Sequence, residues 1–185
     1  MALEHAILVS LAEKSASGYD LARRFDASIG HFWKASHQQI YKVLGRMEGD
    51  GLVASEVVLQ DGRPDKKVYA ITSDGRDELA TWTAKSTPVE PLRSEFAVKI
   101  RALQFGDSLA IIDDVHVRRR AHETKLAYYL DSAAKYYPDP DNLTHEELGG
   151  WLTLRGGILA EQTGIVWCDE ILSRLSPQPA DEAER

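Results

Sequence analysis

Between Ser36 and Arg46 the chain combines hydroxyl, imidazole, amide and cationic groups without a single carboxylate. Ser36, His37, Gln38, Tyr41, Lys42 and Arg46 interleave with Ile40, Val43, Leu44 and, one residue on, Met47, so that an apolar and a polar face separate at helical spacing. Such a polar face has the groups needed to read a major groove. Glutamine pairs with N6 and N7 of adenine, arginine or lysine pairs with O6 and N7 of guanine, and the other groups hold phosphate oxygens. Any solvated helix shares part of this chemistry, so the neighbouring elements decide. A second set of cations, Arg63, Lys66 and Lys67, sits in or just after a turn-forming stretch, Gln60 to Asp65, between two β-rich runs, Leu52 to Leu59 and Lys66 to Thr72. At a hairpin tip these side chains reach flanking phosphates or a minor groove and add affinity with little sequence information.

Other chemistries find no support. The histidines His5, His31, His37, His116, His122 and His145 are scattered, with no His-x-x-x-His pair and no Cys/His cluster at metal-ligand spacing. There is no Gly-x-Ser-x-Gly elbow, P-loop or dinucleotide fingerprint, and Arg155 to Gly157 falls inside a helical pattern, not after a strand. The chain is therefore not read as an enzyme, and no metal or cofactor is expected. Cys168, the single cysteine, reads as a small buried hydrophobe on a helix.

The elements that position these residues follow from periodicity. Leu3, Ile7, Leu8 and Leu11 mark an amphipathic helix, broken by Ser15 to Gly18; Tyr19 to about Phe25 forms a second, with Leu21 and Phe25 inward. After a connection through Ser28, Ile29 and Gly30, Ser36 caps the third helix, and Gly49, Asp50 and Gly51 stop it. Three short helices followed by a two-stranded wing make a winged helix-turn-helix. Ser73 or Asp74 can cap a fourth helix containing Leu79 and Trp82, ended by the two prolines between Thr87 and Pro91.

Beyond those prolines everything reads helical. Leu92, Phe96, Ile100 and Leu103 share a face; a long helix runs from about Ser108 to Tyr137; and Thr144 with Glu147 forms a capping box at the head of the last helix. In that helix Trp151, Leu154, Ile158, Glu161, Ile165, Cys168, Leu172 and Leu175 alternate spacings of three and four, the repeat of a coiled-coil seam, and only Glu161 breaks its chemistry. The seven apolar members are the expected dimerisation residues, although such a seam can pair within one chain or between two. Leu152, Leu159 and Val166 widen the stripe towards a second neighbour. Trp82, Trp151 and Trp167 could stack on a flat ligand near a dimer seam, or simply pack helices. The expected fold is mostly α (α+β): residues 1–86 a winged helix-turn-helix, 87–178 an antiparallel helical dimerisation and effector arm, and 179–185 a disordered tail.

The net charge of −7 opposes nucleic-acid binding only if it is spread evenly. Residues 1–85 carry 11 Lys and Arg against 12 Asp and Glu; residues 86–185 carry 11 against 17. The acidity belongs to the second half, whereas Lys34 to Arg46 holds three cations and no acid. No basic segment precedes an apolar run at Met1 to His5, and no stretch approaches the roughly 20 apolar residues that span a bilayer, so a cytoplasmic protein without membrane contact is expected.

In their order and distances, Leu3-Glu-His-Ala-Ile-Leu8, Gly18-Tyr-Asp-Leu21, Ser36-x-x-Gln39-Ile-Tyr41, Leu44-x-x-Met47-Glu48, Gly51-Leu-Val53, Gly62-Arg-Pro64 and Lys67-Val-Tyr69-x-x-Thr72 resemble the PadR family of bacterial transcriptional regulators. The second half is similar to the helical, virulence-activator-like arm of the longer members, around Phe96, Trp151 and Trp167. The resemblance implies a homodimeric repressor on a roughly palindromic double-stranded operator, relieved in several members by a small, often aromatic, effector whose identity does not follow from it. It places the recognition helix at Ser36 to Arg46 and the wing at Gly62 to Lys67. Gln39 and Tyr41 match motif positions, His37 and Gln38 fall at variable ones, and Tyr19 could set its hydroxyl on a phosphate. The rival reading is a winged-helix protein-interaction module that binds no DNA.

Overall fold

A computed structural model describes residues 2–27, 35–59, 65–89 and 93–175. The sequence-predicted Arg63, Lys34 and turn residues Gln60 to Pro64, the connection at Ser28 to Gly30, Pro91, Leu92 and the 179–185 tail lie outside them. The chain divides into two compact units, Met1–Glu90 and Pro91–Arg185.

In the first unit, helices α1 (Ala2–Glu13), α2 (Gly18–Ala27) and α3 (His37–Gly49) pack over a small antiparallel sheet. Ile7, Leu8 and Leu11 of α1, Leu21 and Phe25 of α2, and Ile40, Leu44 and Met47 of α3, apolar positions that periodicity marks, are buried in one core with Ala16, Ala22, Val53 and Tyr69, while the marked Leu3 and Val43 are partly buried against it. Strands β2 (Val53–Val58) and β3 (Lys66–Ile71) pair in register from Val53 opposite Ile71 to Val58 opposite Lys66. The sheet has three strands, not the two expected, because Ala16 and Ser17 form β1 and pair with Tyr69 and Val68 along the free edge of β3. Two residues carry no readable alternation, but both are buried, and pairing satisfies backbone groups that burial would otherwise strand. Helix α4 (Ser73–Thr83) starts one residue earlier than either expected cap allows: Thr72 Oγ1 accepts from the Gly75 amide at 3.0 Å, while its hydroxyl contacts the carbonyls of Gly51 and Leu52.

The second unit is helical. Helix α5 (Glu95–Arg101) is capped by Ser94, a single 3-10 turn covers Leu103–Phe105, and α6 (Ser108–Tyr136) and α7 (His145–Leu175) form an antiparallel hairpin. The capping box at Thr144 and Glu147 forms as expected. Phe96, Val115, Cys168 and Ile171 make its main apolar cluster.

The face that α7 turns to α6 keeps Leu154, Glu161, Cys168 and Leu175 of the predicted repeat and adds Gly150, Gly157, Gly164 and Ile171, each one position before Trp151, Ile158, Ile165 and Leu172 and again spaced four and three. Three of the four positions at one level of that repeat are glycines, and two of them receive a ring of α6. A Cβ on Gly157 would come 2.9 Å from the Tyr129 ring and one on Gly164 2.7 Å from the His122 ring, while Gly150 abuts the Tyr137 hydroxyl. The predicted Ile158 and Cys168 are buried within the chain, and Trp151, Leu154, Ile165, Leu172 and Leu175 are half-buried. Glu161, the residue that breaks the apolar repeat, is buried at 7% exposure. His122 Nδ1 lies 2.5 Å and Lys125 Nζ 2.9 Å from its carboxylate oxygens, so the buried charge is paired. Burial pushes the Glu161 carboxyl up, but the hydrogen bonds from His122 and Lys125 outweigh it and hold the group below its ordinary value.

Candidate nucleic-acid interface

Helix α3 owes its orientation to its caps and to three side chains. Ser36 Oγ accepts from the Gln39 amide at 3.2 Å and Gln39 Oε1 accepts from the Ser36 amide at 2.8 Å, a reciprocal capping box that starts the helix. Ile40, Leu44 and Met47 are completely buried, which turns Ser36, His37, Gln38, Gln39, Tyr41, Lys42, Gly45 and Arg46 to solvent. At the other end the turn needs Gly51, whose φ of +77° is a left-handed conformation.

These exposed side chains are not equivalent. Ser36 and Gln39 spend oxygen atoms on the cap, so Gln39 could pair bidentately with a base only by giving up that bond. His37 and Gln38, in the first turn, and Lys42 are exposed, and among the described residues no ion pair engages Lys42. Tyr41 leans across the start of α2, where a Cβ on Gly18 would lie 2.3 Å from its Cε1, so Gly18 leaves the space that seats the ring. Arg46 is drawn back to α1, its guanidinium 2.5 Å from Glu4.

Tyr19 projects from the first turn of α2, 59% exposed, with the Arg23 guanidinium 5.8 Å from its ring centroid. Sequence reasoning passed over Arg23, although its position four residues after Tyr19 puts the two on one helical face. In the wing, Lys66 Nζ lies 2.5 Å from Asp20 Oδ2, and Lys67 Nζ lies 2.8 Å from Glu48 Oε2 and 5.1 Å from the centre of the Tyr69 ring. The carboxyl of Asp20 is held below its ordinary value by hydrogen bonds from Lys66 and Ser17, that of Glu48 by those from Lys67 and Ser55, and the Lys67 ammonium is raised by Glu48.

Of the three tryptophans singled out for ligand stacking, Trp82 belongs to the first unit and Trp151 and Trp167 to the second. Trp82 stacks on His5 at 4.5 Å, and His5 in turn meets Glu78 at 3.0 Å, so one face of the indole is already occupied inside the first unit. Trp151 packs with Tyr137 at 5.7 Å, and Trp167 meets Phe96 edge-on at 5.2 Å. Sixteen residues of helix, about 24 Å, separate Trp151 from Trp167, so they cannot line one site within a chain. No described helix is long and apolar enough to cross a membrane.

A capped helix with a carboxylate-free outer face, seated beside a wing and joined to a helical hairpin, defines a winged helix-turn-helix regulator with an arm. Residues 7–81 match the PadR-like family of transcriptional regulators and residues 92–176 match the C-terminal region of virulence activator alpha. The chain is 46% identical to the probable transcriptional regulator Rv1176c of Mycobacterium tuberculosis, over 95% of its own length and 98% of that protein. It superposes on Bacillus subtilis PadR in complex with operator DNA at a TM-score of 0.85, with 26% identity over 95% of this chain and all of that one. The Vibrio cholerae virulence activator AphA is 35% identical, with a TM-score of 0.76 over 94% of this chain and 97% of that one. The chain belongs to the PadR-like family and is a transcriptional regulator.

Proposed function

We propose that this regulator is a homodimeric repressor that reads a roughly palindromic operator through α3 and holds the flanking phosphates with α2 and the wing. The observation that carries the proposal is the exposed face of α3, where His37, Gln38, Tyr41 and Lys42 stand over a helix pinned from below by Ile40, Leu44 and Met47. Its resemblance to PadR of Bacillus subtilis, solved on operator DNA, supports the assignment. Two such helices in a two-fold dimer enter successive major grooves about 34 Å apart. Residues 1–86 serve as the DNA-binding part and 87–178 as the dimerisation and effector part.

The arm supports dimerisation through what it leaves uncovered. Leu152, Leu159 and Val166, seven residues apart, are exposed on α7 while its opposite side packs on α6. A second copy is the partner that a repeating stripe of this kind suits. Bacillus subtilis PadR has also been solved with p-coumaric acid, which supports relief of repression by a small aromatic ligand here as well. Such a ligand would act by binding the DNA-free dimer better than the DNA-competent one.

The test is a mobility-shift titration on the promoter region upstream of the gene, searched for an inverted repeat. Gln38→Ala and Lys42→Ala are expected to weaken operator binding by about tenfold each and to change base preference, since a good base contact is worth about 1–3 kcal/mol. Unchanged operator binding in both variants would overturn the assignment of α3. A protein-interaction module would pass through heparin and duplex DNA columns at low salt, whereas the proposed repressor is retained and elutes steeply as salt rises.

A further inference from the structure

Each of the two described lysines of the wing carries an ion pair. Lys66 is paired at 2.5 Å with Asp20 in the first turn of α2, and Lys67 at 2.8 Å with Glu48 at the end of α3. Each carboxylate is itself held in place, Asp20 by the Ser17 hydroxyl at 2.8 Å and Glu48 by the Ser55 hydroxyl. Asp20 and Glu48 belong to the two helices of the reading head, so both acids stand on the same elements as the groups proposed to contact DNA. Lys42, on the reading face, faces no carboxylate among the described residues.

We propose that Asp20 and Glu48 are specificity-determining residues that occupy the wing lysines and suppress binding to DNA of the wrong sequence. The inference rests on the reading of α3 and the wing as the DNA-contacting surface. Non-specific affinity comes from cations that neutralise phosphates and release condensed counterions, with log K falling by about 0.9 per phosphate for each decade of salt. A lysine already neutralised by a carboxylate contributes little to that release. If the pair opens, the carboxylate is left near the phosphates and repels them. Contacts from Gln38 and Lys42 to base edges do not involve either acid and keep their full value. The pairs therefore subtract from binding to every sequence while leaving the contacts that discriminate, and the ratio of operator to random-sequence affinity rises. Both pairs are partly exposed, with lysine side chains 37% and 47% accessible, so they open readily once an operator holds the head in place.

The experiment uses the full chain and measures fluorescence anisotropy on a random-sequence duplex and on a selected inverted-repeat duplex across a salt series. Asp20→Asn and Glu48→Gln are each expected to tighten random-duplex binding by roughly three- to tenfold at low salt and to steepen its log-log slope by about 0.9 per freed lysine. Operator affinity rises less, so the specificity ratio falls. In a Lys66→Ala background Asp20→Asn frees no lysine and does not steepen the slope, and Asp20→Glu keeps the wild-type behaviour. Random-duplex affinity and slope unchanged in both amide variants, at wild-type melting temperature, would overturn the inference. Weaker binding in those variants would also overturn it, since the acids would then be orienting the lysines towards DNA. A wild-type chain that binds neither duplex removes the reading of the surface and the inference with it, whereas operator binding by the wild type with unchanged random-duplex slopes in the amide variants keeps that reading and overturns the inference alone.

Discussion

The two units of this chain are of nearly equal length and solve opposite packing problems. In the head, α1, α2, α3 and the sheet bury twelve apolar residues among those described, from Ile7 to Tyr69, and nearly every apolar position on the inner faces is covered. In the arm six are buried, namely Phe96, Val115, Tyr129, Ile158, Cys168 and Ile171, together with the charged Glu161, while Leu148, Leu152, Leu159 and Val166 remain exposed. A layer of helices over a sheet closes a core by itself; one helical hairpin with a short third helix cannot cover both sides of its apolar surface. The difference separates the two units: the head closes its own core, and the arm leaves an apolar stripe uncovered.

The comparison breaks most readily at the exposed stripe. Leu159→Glu combined with Val166→Glu is expected to turn a dimer into monomers by sedimentation, to leave the melting of the head unchanged, and to lower operator affinity by about 100-fold or more once the two heads are no longer linked. A dimer that survives both charges would mean that the arm is completed elsewhere. A smaller effect is expected at the buried charge. Glu161→Ala removes the partner of His122 and Lys125 and should destabilise the arm by about 1–3 kcal/mol, read from its melting, with the head unaffected. Because the folded Glu161 carboxyl lies below its ordinary value of 4.5, its contribution is complete above that value and is lost as pH falls through the folded one. Acid melting of the arm should therefore be less steep in Glu161→Gln than in the wild type.

The smallest effects sharpen the comparison by their signs. Gly157→Ala drives a methyl into the Tyr129 ring and is expected to cost about 1–3 kcal/mol. At the adjacent Gly156 an added Cβ meets nothing within 4 Å, and Gly156→Ala should stabilise α7 by up to about 1 kcal/mol through helix propensity alone. Equal responses at the two glycines would contradict the close packing of Gly157 against Tyr129.

Helix α3 was legible because every turn carries the same division: an apolar side with Ile40, Leu44 and Met47, a polar side, a capping serine before it and glycines after it. The hairpin was legible for the same reason, since alternation and turn residues are local signals. Strand β1 was not, because two residues have no period, and what makes Ala16 and Ser17 a strand is the open edge of β3, more than fifty residues later in the chain. The glycines on the α6-facing side of α7 were not legible because glycine carries no hydrophobic signal. Gly157 and Gly164 belong to the contact face through the rings of Tyr129 and His122, which the spacing of α7 alone cannot reveal.

The cations show the same boundary most clearly. Residue types and spacing by themselves determined that a carboxylate-free helix face, a basic wing and an apolar heptad exist in this chain, because helix periodicity, caps and turns act over a few residues. Whether a given cation is available was decided only by the tertiary structure. Asp20 and Lys66 are 46 residues apart in sequence and Glu48 and Lys67 are 19 apart, yet each pair meets within 3 Å. Charge interactions depend on distance in space, and only the packing of α2, α3 and the sheet against one core brings those acids to the lysines of the wing, while among the described residues no ion pair engages Lys42.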